Sequence, residues 1–215
     1  DVGAGGELAN LTELDVRGNQ ITDVGRLGDL ANLTELHLGD NQITDVGPLG
    51  DLTDLRSLSL VSNQITDVGP LGDLTNLTEL YLGGNQITDV GPLLALTDFE
   101  SLDLRENEIS HLSDRWFETT LDLKWESEFP GGRFIINGIY LEGNPLEYPP
   151  PEIIKGGEGA IQSYRASLAG ERQPLNEARM LLVGDGAAGK TSLMKRLLGE
   201  PFDEDQSQTH GINIR

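Results

Sequence analysis

Near its C-terminal end the sequence runs Gly184-Asp185-Gly186-Ala187-Ala188-Gly189-Lys190-Thr191, a G-x-x-x-x-G-K-[ST] spacing followed by Ser192. Each residue type there suits the binding of a nucleoside phosphate. Glycines let backbone N–H groups converge on phosphate oxygens that a Cβ would obstruct. A helix starting directly behind the loop adds the positive end of its dipole. Lys190 would reach the β- and γ-phosphates, and the Thr191 hydroxyl would coordinate Mg²⁺. The flanking elements supply the setting this chemistry needs. Residues 178–183 read as a buried strand, and residues 192–198 carry Leu193, Met194, Leu197 and Leu198 at helical spacing. Lys190 is one of only four lysines, the others being Lys124, Lys155 and Lys195.

About twenty residues downstream of the loop comes Thr209-His210-Gly211-Ile212. This resembles the switch-one T-x-G-[IV] segment of Ras- and Rab-like GTPases. The resemblance gives Thr209 the role of sensing the γ-phosphate and Mg²⁺, so Thr191 and Thr209 are the expected metal contacts.

The first half of the chain is organised by a 22-residue period. Residues 11–32, 33–54, 55–76 and 77–98 repeat almost letter for letter, and Phe99 opens a weaker fifth copy. The template L-x-x-L-x-L-x-x-N-x-I-x-D-x-x-x-L-x-x-L resembles the leucine-rich repeat family, in its 22-residue bacterial form. Leu14/Val16, Leu36/Leu38, Leu58/Leu60, Leu80/Leu82 and Leu102/Leu104 alternate with period two and predict one short strand per coil. A single coil cannot bury its apolar face, so stacking must build the core. Asn19, Asn41, Asn63, Asn85 and Asn107 fall once per coil, where a buried amide can both donate to and accept from the turning backbone.

Alternate strand positions would line a concave face in three columns: Glu13, Glu35, Ser57, Glu79, Ser101; Asp15, His37, Ser59, Tyr81, Asp103; and Arg17, Gly39, Val61, Gly83, Arg105. The face is acidic around a small apolar centre at Val61 and Tyr81. Glu13, Asp15, Glu35, His37, Val61, Glu79, Tyr81, Asp103 and Arg105 are the candidate contacts for a protein or peptide, and charge favours a basic one. The alternative is a solvated face. Asp23, Asp45, Asp67 and Asp89 also form a column, which suits turn formation through backbone N–H bonds better than a calcium site. His37, His111 and His210 have no paired ligand spacing, so no zinc site is expected.

After Ser110 the period fails. Residues 120–125 and 133–140 read as two strands around Pro130-Gly131-Gly132, with Trp116, Phe117, Trp125 and Phe129 expected to cover the end of the stack. The pattern returns at Ile136-x-x-Ile139-x-Leu141-x-x-Asn144, a last coil closed by Pro149, Pro150 and Pro151. Residues 158–171 read as an amphipathic helix with Ile161, Tyr164 and Leu168 on one face, ended by Pro174.

Repeats followed by a phosphate loop resemble the Roco family, which joins leucine-rich repeats to a Ras-like Roc GTPase domain and a dimerising COR domain. The junction Leu141-Glu142-Gly143-Asn144-Pro145-Leu146, followed by Pro150-Pro151-Glu152-Ile153, is similar to those before Roc domains. The expected fold class is α/β: a repeat solenoid over 1–110, an irregular insertion and last coil over 111–150, a linker helix over 151–175, and an incomplete GTPase segment over 176–215. The family's D-x-x-G and N-K-x-D segments do not occur between Thr209 and Arg215. The resemblance therefore implies GTP or GDP with Mg²⁺, guanine preference, GTPase activity and dimerisation for a parent protein, with weak or no nucleotide binding expected of this chain. The first residues, 1–10, align inside a repeat, so earlier coils are expected before them.

Composition narrows the remaining classes. The 215 residues include no cysteine and carry a net charge of -21, which excludes a disulfide scaffold and argues against binding nucleic acid through phosphates. No apolar run is long enough to span a membrane. An acidic, lysine-poor surface stays soluble in concentrated salt. A cytoplasmic signalling scaffold is the leading expectation. The repeats also resemble internalin-type surface proteins, so a non-enzymatic binding module is the alternative.

Overall fold

The computed structural model describes residues 10–119, 121–125 and 137–169. The chain divides into units at 1–170 and 171–215, and the fold described here is that of the first.

Seven short strands form one parallel sheet: β1 (Glu13–Asp15), β2 (Glu35–His37), β3 (Ser57–Ser59), β4 (Glu79–Tyr81), β5 (Ser101–Asp103), β6 (Leu123–Lys124) and β7 (Gly138–Tyr140). The order is β1-β2-β3-β4-β5-β7-β6. The 22-residue period sets the register directly, pairing Leu14 with Leu36, Leu36 with Leu58, Leu58 with Leu80 and Leu80 with Leu102. Leu36, Leu58, Leu80 and Leu102 are wholly buried. On the opposite side each coil makes a 3-10 turn: Gly25–Asp29, Gly47–Asp51, Gly69–Asp73 and Gly91–Ala95. Proline at the start of the last three presets φ for the turn. Ile43, Val46, Leu49, Leu52 and Leu55, with their equivalents one period on, fill the space between the strands and these turns.

The asparagines hold the coils together. Asn63 accepts the Ile43 N–H through Oδ1 at 3.0 Å, while its Nδ2 donates to Leu60 O at 3.1 Å and, in the coil before, to Leu38 O at 3.0 Å. Asn41, Asn85 and Asn107 repeat these bonds. One amide thus satisfies buried backbone groups of two coils that the short strands leave without ladder partners. Just before each asparagine the chain turns through a left-handed residue: Gly18, Asp40, Ser62, Gly84, Glu106 and then Gly143.

The 3-10 turns stack so closely that glycine is required there. A Cβ on Gly28, Gly50 or Gly72 would lie 2.5, 2.9 or 3.0 Å from the carbonyl oxygen of Pro48, Pro70 or Pro92 in the next coil. The fourth coil has Leu94 at this position, and the next coil has no proline to meet it. The break in the repeat is therefore written into the convex side one coil early.

Each of the two segments expected as strands beyond Ser110 holds one within the described residues, β6 and β7, and the two run parallel; residues 120 and 133–136 lie outside the described residues. β7 pairs with β5 in repeat register, Leu102 to Ile139, and β6 lies outside it, Leu123 to Ile139. The strand that comes first in sequence is thus the outermost. Before it, Ser113 Oγ accepts the Arg115 N–H and opens a 3-10 turn, Asp114–Glu118, that buries Trp116 and Phe117. Each such ring contributes roughly 2–3 kcal/mol of apolar burial. Two helices follow, α1 (Pro151–Lys155) and α2 (Gly157–Ala169); α2 covers the expected 158–171 segment as far as the described residues reach. Ile154 of α1 is buried, and Ile161 and Tyr164 of α2 pack on the core, with Phe117 edge-on to Tyr164 at 5.8 Å. Trp116 and Phe117 are buried at this end of the stack and Trp125 packs against the same core; Phe129 lies outside the described residues.

Candidate functional site: the concave strand face

The register brings the expected columns together and extends them. Glu13, Glu35, Ser57, Glu79, Ser101 and Gly138 align across the sheet, as do Asp15, His37, Ser59, Tyr81, Asp103, Tyr140 and Lys124. Neither Tyr140 nor Lys124 was among the expected contacts: Tyr140 lies in the expected last coil, and Lys124 in the insertion that breaks the period. Lys124 Nζ stands 5.6 Å from the centroid of the Tyr140 ring.

Three zones differ in their electrostatics. At the first coils, Glu13 and Glu35 sit opposite each other, exposed, with His37 beside them. Asp15 is engaged separately: Arg17 Nε donates to its Oδ1 at 2.9 Å and Nη2 to its Oδ2 at 2.5 Å. These hydrogen bonds hold the Asp15 carboxyl well below the usual carboxylate range and raise Arg17.

In the centre Glu79 accepts from Ser57 Oγ at 3.1 Å and from the Tyr81 hydroxyl at 3.2 Å. Burial, and then the negative charge of Glu79, push the Tyr81 hydroxyl well above its ordinary value. Val61 is half-buried.

At the last coils Arg105 Nε and Nη2 grip Asp103 at 2.8 and 2.9 Å. Asp103, expected as an exposed contact, is only 3% exposed. The reason is the added strand: β7 places buried Tyr140 directly beside it, and Arg105 closes over the carboxylate. Asp103 thus positions Arg105 in a neutral pair, and Lys124 adds a positive charge at this end, while Glu13 and Glu35 keep the other end acidic.

His37 is where the sequence reading missed a relationship. A ligand atom of His37 and one each of Glu13 and Glu35 all lie within 4.8 Å of one another. The columns already placed Glu13 beside Glu35 with His37 in the next column, but the expectation of no zinc site rested on the spacing of the histidines alone. The column of Asp23, Asp45, Asp67 and Asp89 behaves as turn-forming residues do, each Oδ1 accepting the N–H two residues on at 2.7–2.8 Å. A separate small cavity of about 210 Å³ lies between the insertion and α2, lined by Trp116, Phe117, Leu123, Ile161 and Arg165 among others. The phosphate-loop candidates Gly184, Asp185, Gly186, Ala187, Ala188, Gly189, Lys190, Thr191 and Ser192, and Thr209, lie outside the described residues.

Comparison with known proteins bears on both halves. The family of leucine-rich repeats (two copies) matches residues 9–51, 31–73, 53–94 and 75–114. The Roc (Ras of Complex) domain of DAPkinase matches residues 179–215, which include the whole phosphate loop and Thr209. A Roc-COR-CHAT protease from an unknown prokaryotic organism is 35% identical over 85 residues, 35% of this chain, and the chain spans 8% of that protein's length. Among solved structures, an internalin (InlF) of Listeria monocytogenes aligns with 33% identity and a TM-score of 0.52 over 64% of this chain and 37% of that one. An internalin C2 of the same species aligns with 32% identity and a TM-score of 0.48 over 67% of each chain.

Proposed function

Because this is a leucine-rich-repeat protein with a Roc segment behind the repeats, we propose that it is the partner-binding scaffold of a Roco-type signalling GTPase. The repeats hold a protein or peptide on the concave face, and a basic segment suits the acidic first coils. The Roc segment contributes to a site for GTP or GDP with Mg²⁺. In that site the N–H groups of residues 184–189 cradle phosphate, Lys190 reaches the β- and γ-phosphates, and Thr191 and Thr209 face the metal. The donor set fits the group: a glycine-rich loop, one lysine and two hydroxyls at the spacing the chemistry needs. Guanine preference, GTP hydrolysis, dimerisation through a COR-type domain and a cytoplasmic setting belong to the same reading.

The observation that carries it is the order of the two parts on one chain, repeats over 9–114 and Roc over 179–215. The internalin-like alternative rests on likeness in the repeats and gives a phosphate loop no purpose. Titration of the protein with a lysine- and arginine-rich peptide, and with an acidic peptide of equal length, tests the scaffold part. Saturable, salt-sensitive binding of the basic peptide alone supports the reading; equal binding of both sinks it.

A further inference from the structure

Three of the five carboxylates on the concave strands have a partner supplied by the fold. Asp15 is held by Arg17, Glu79 by Ser57 and Tyr81, and Asp103 by Arg105. Glu13 and Glu35 are the exceptions, and the imidazole of His37 lies beside them: among the described residues none of these three side chains makes a hydrogen bond or ion pair. Two carboxylates stacked at strand spacing, about 4.8 Å, repel each other unless a cation lies between them.

We propose that Glu13, Glu35 and His37 form a binding site for a divalent transition ion of the zinc class. The register builds the corner. Glu13 and Glu35 oppose each other on β1 and β2, and His37 follows Glu35 by two residues, which places it on the same face. The backbone beneath is fixed by the parallel ladder and by the Val16 N–H donating to His37 O at 3.0 Å. Three donor atoms already lie within 4.8 Å of one another. Ligands of a single zinc ion stand about 3.4 Å apart, each about 2.1 Å from the metal. Rotation of exposed Glu13 and Glu35 toward His37 closes that gap without moving a strand.

The donor set chooses the ion. Two carboxylate oxygens alone would suit calcium or magnesium, and an imidazole nitrogen shifts the preference to zinc, nickel or copper. The chain has no cysteine, so no thiolate competes for the metal. Asp15, paired with His37 in register, is occupied on both oxygens by Arg17 and stays out of the set. Three protein ligands leave a position open on the concave side, where water or a donor group of a bound partner completes the shell. The site stands on the repeats alone and is independent of the nucleotide; it shares Glu13 and Glu35 with the acidic first coils, whose charge a bound divalent ion would offset.

The test is titration of the full chain with Co²⁺, read by its visible absorption, followed by displacement with Zn²⁺ in calorimetry. The variants are His37→Gln and the double Glu13→Gln/Glu35→Gln, with His111→Gln and His210→Gln as controls. All changes in the repeats are at the surface, and far-UV circular dichroism checks that each variant keeps the fold. The expected result is one saturable equivalent, weakened about ten-fold or more by His37→Gln and by the double variant. It is unchanged in the two controls and by excess Ca²⁺. Absence of saturable binding, binding undiminished in His37→Gln, binding lost in a control, or displacement by Ca²⁺ each overturns the proposal.

Discussion

The Ile109 N–H donates to Asn144 Oδ1 at 3.0 Å across a sequence separation of 35, where the same bond elsewhere in the stack spans 20. Asn144 Nδ2 then reaches Leu104 O at 2.8 Å and Leu141 O at 2.9 Å. The asparagine ladder therefore resumes on the far side of the insertion, and β7 is a true coil of the same solenoid. This continuity carries the concave face past β5 to Tyr140 and Lys124.

Replacing Asn144 by alanine strips buried backbone groups of two coils of their partner at once. The expected loss is about 3 kcal/mol, read from the urea midpoint at constant m-value. Asn19→Ala, at an exposed position of the first described coil, is expected to stay within about 0.5 kcal/mol of wild type. Equal effects at the two positions would contradict the ladder's role.

On the convex side, Gly50→Ala drives a Cβ toward the Pro70 carbonyl oxygen and is expected to destabilise by about 1–3 kcal/mol. Ser62→Gly relaxes a left-handed residue at φ 55° and is expected to add about 0.5 kcal/mol, the relief of strain exceeding the added chain entropy. Thermal unfolding of the two variants side by side separates close packing from backbone strain.

Most of this framework was legible in the sequence because each coil repeats one local solution. Leu36, Asn41, Asp45 and Leu49 announce strand, ladder, turn and core, and their copies confirm them. The return of the pattern at Ile139, Leu141 and Asn144 was legible for the same reason. What escaped was non-local. Two residues, Leu123 and Lys124, are too few to reveal that β6 lies outside β7. Asp103 reads as an exposed strand residue until β7 is known to lie beside it. The corner of Glu13, Glu35 and His37 was within the aligned columns, but how close its donor atoms lie is a matter of side-chain geometry that the columns do not carry.

Tyr81 provides a pH signature. Its folded value is raised above the ordinary 10.0, chiefly by burial and then by Glu79. The neutral hydroxyl is thus favoured in the fold, so its contribution is complete below pH 10 and is lost as pH rises through the folded value. Tyr148 is raised in the same sense by its hydrogen bond to Asp114. Ultraviolet titration is expected to show a late-ionising class among the four tyrosines, reduced in Tyr81→Phe. A single transition near pH 10 for all of them would count against the hydrogen-bonded centre.

Charge on the first coils should govern the encounter with a basic partner. Glu13→Gln, Glu35→Gln and Glu79→Gln together are expected to weaken binding of a cationic peptide and flatten its salt dependence. Lys124→Gln, at the opposite end of the face, should leave affinity unchanged or raise it. Association rates across a salt series distinguish these outcomes from a face that takes no part.

The reading of repeats joined to a guanine-nucleotide switch is tested most directly at Lys190. A protein carrying these repeats and a complete Roc domain, titrated in Mg²⁺ with GDP, GTP and ATP, should bind the two guanine nucleotides and not ATP. Lys190→Ala should abolish that binding while the repeats stay folded. Preference for ATP, or guanine-nucleotide binding that survives Lys190→Ala, would contradict it.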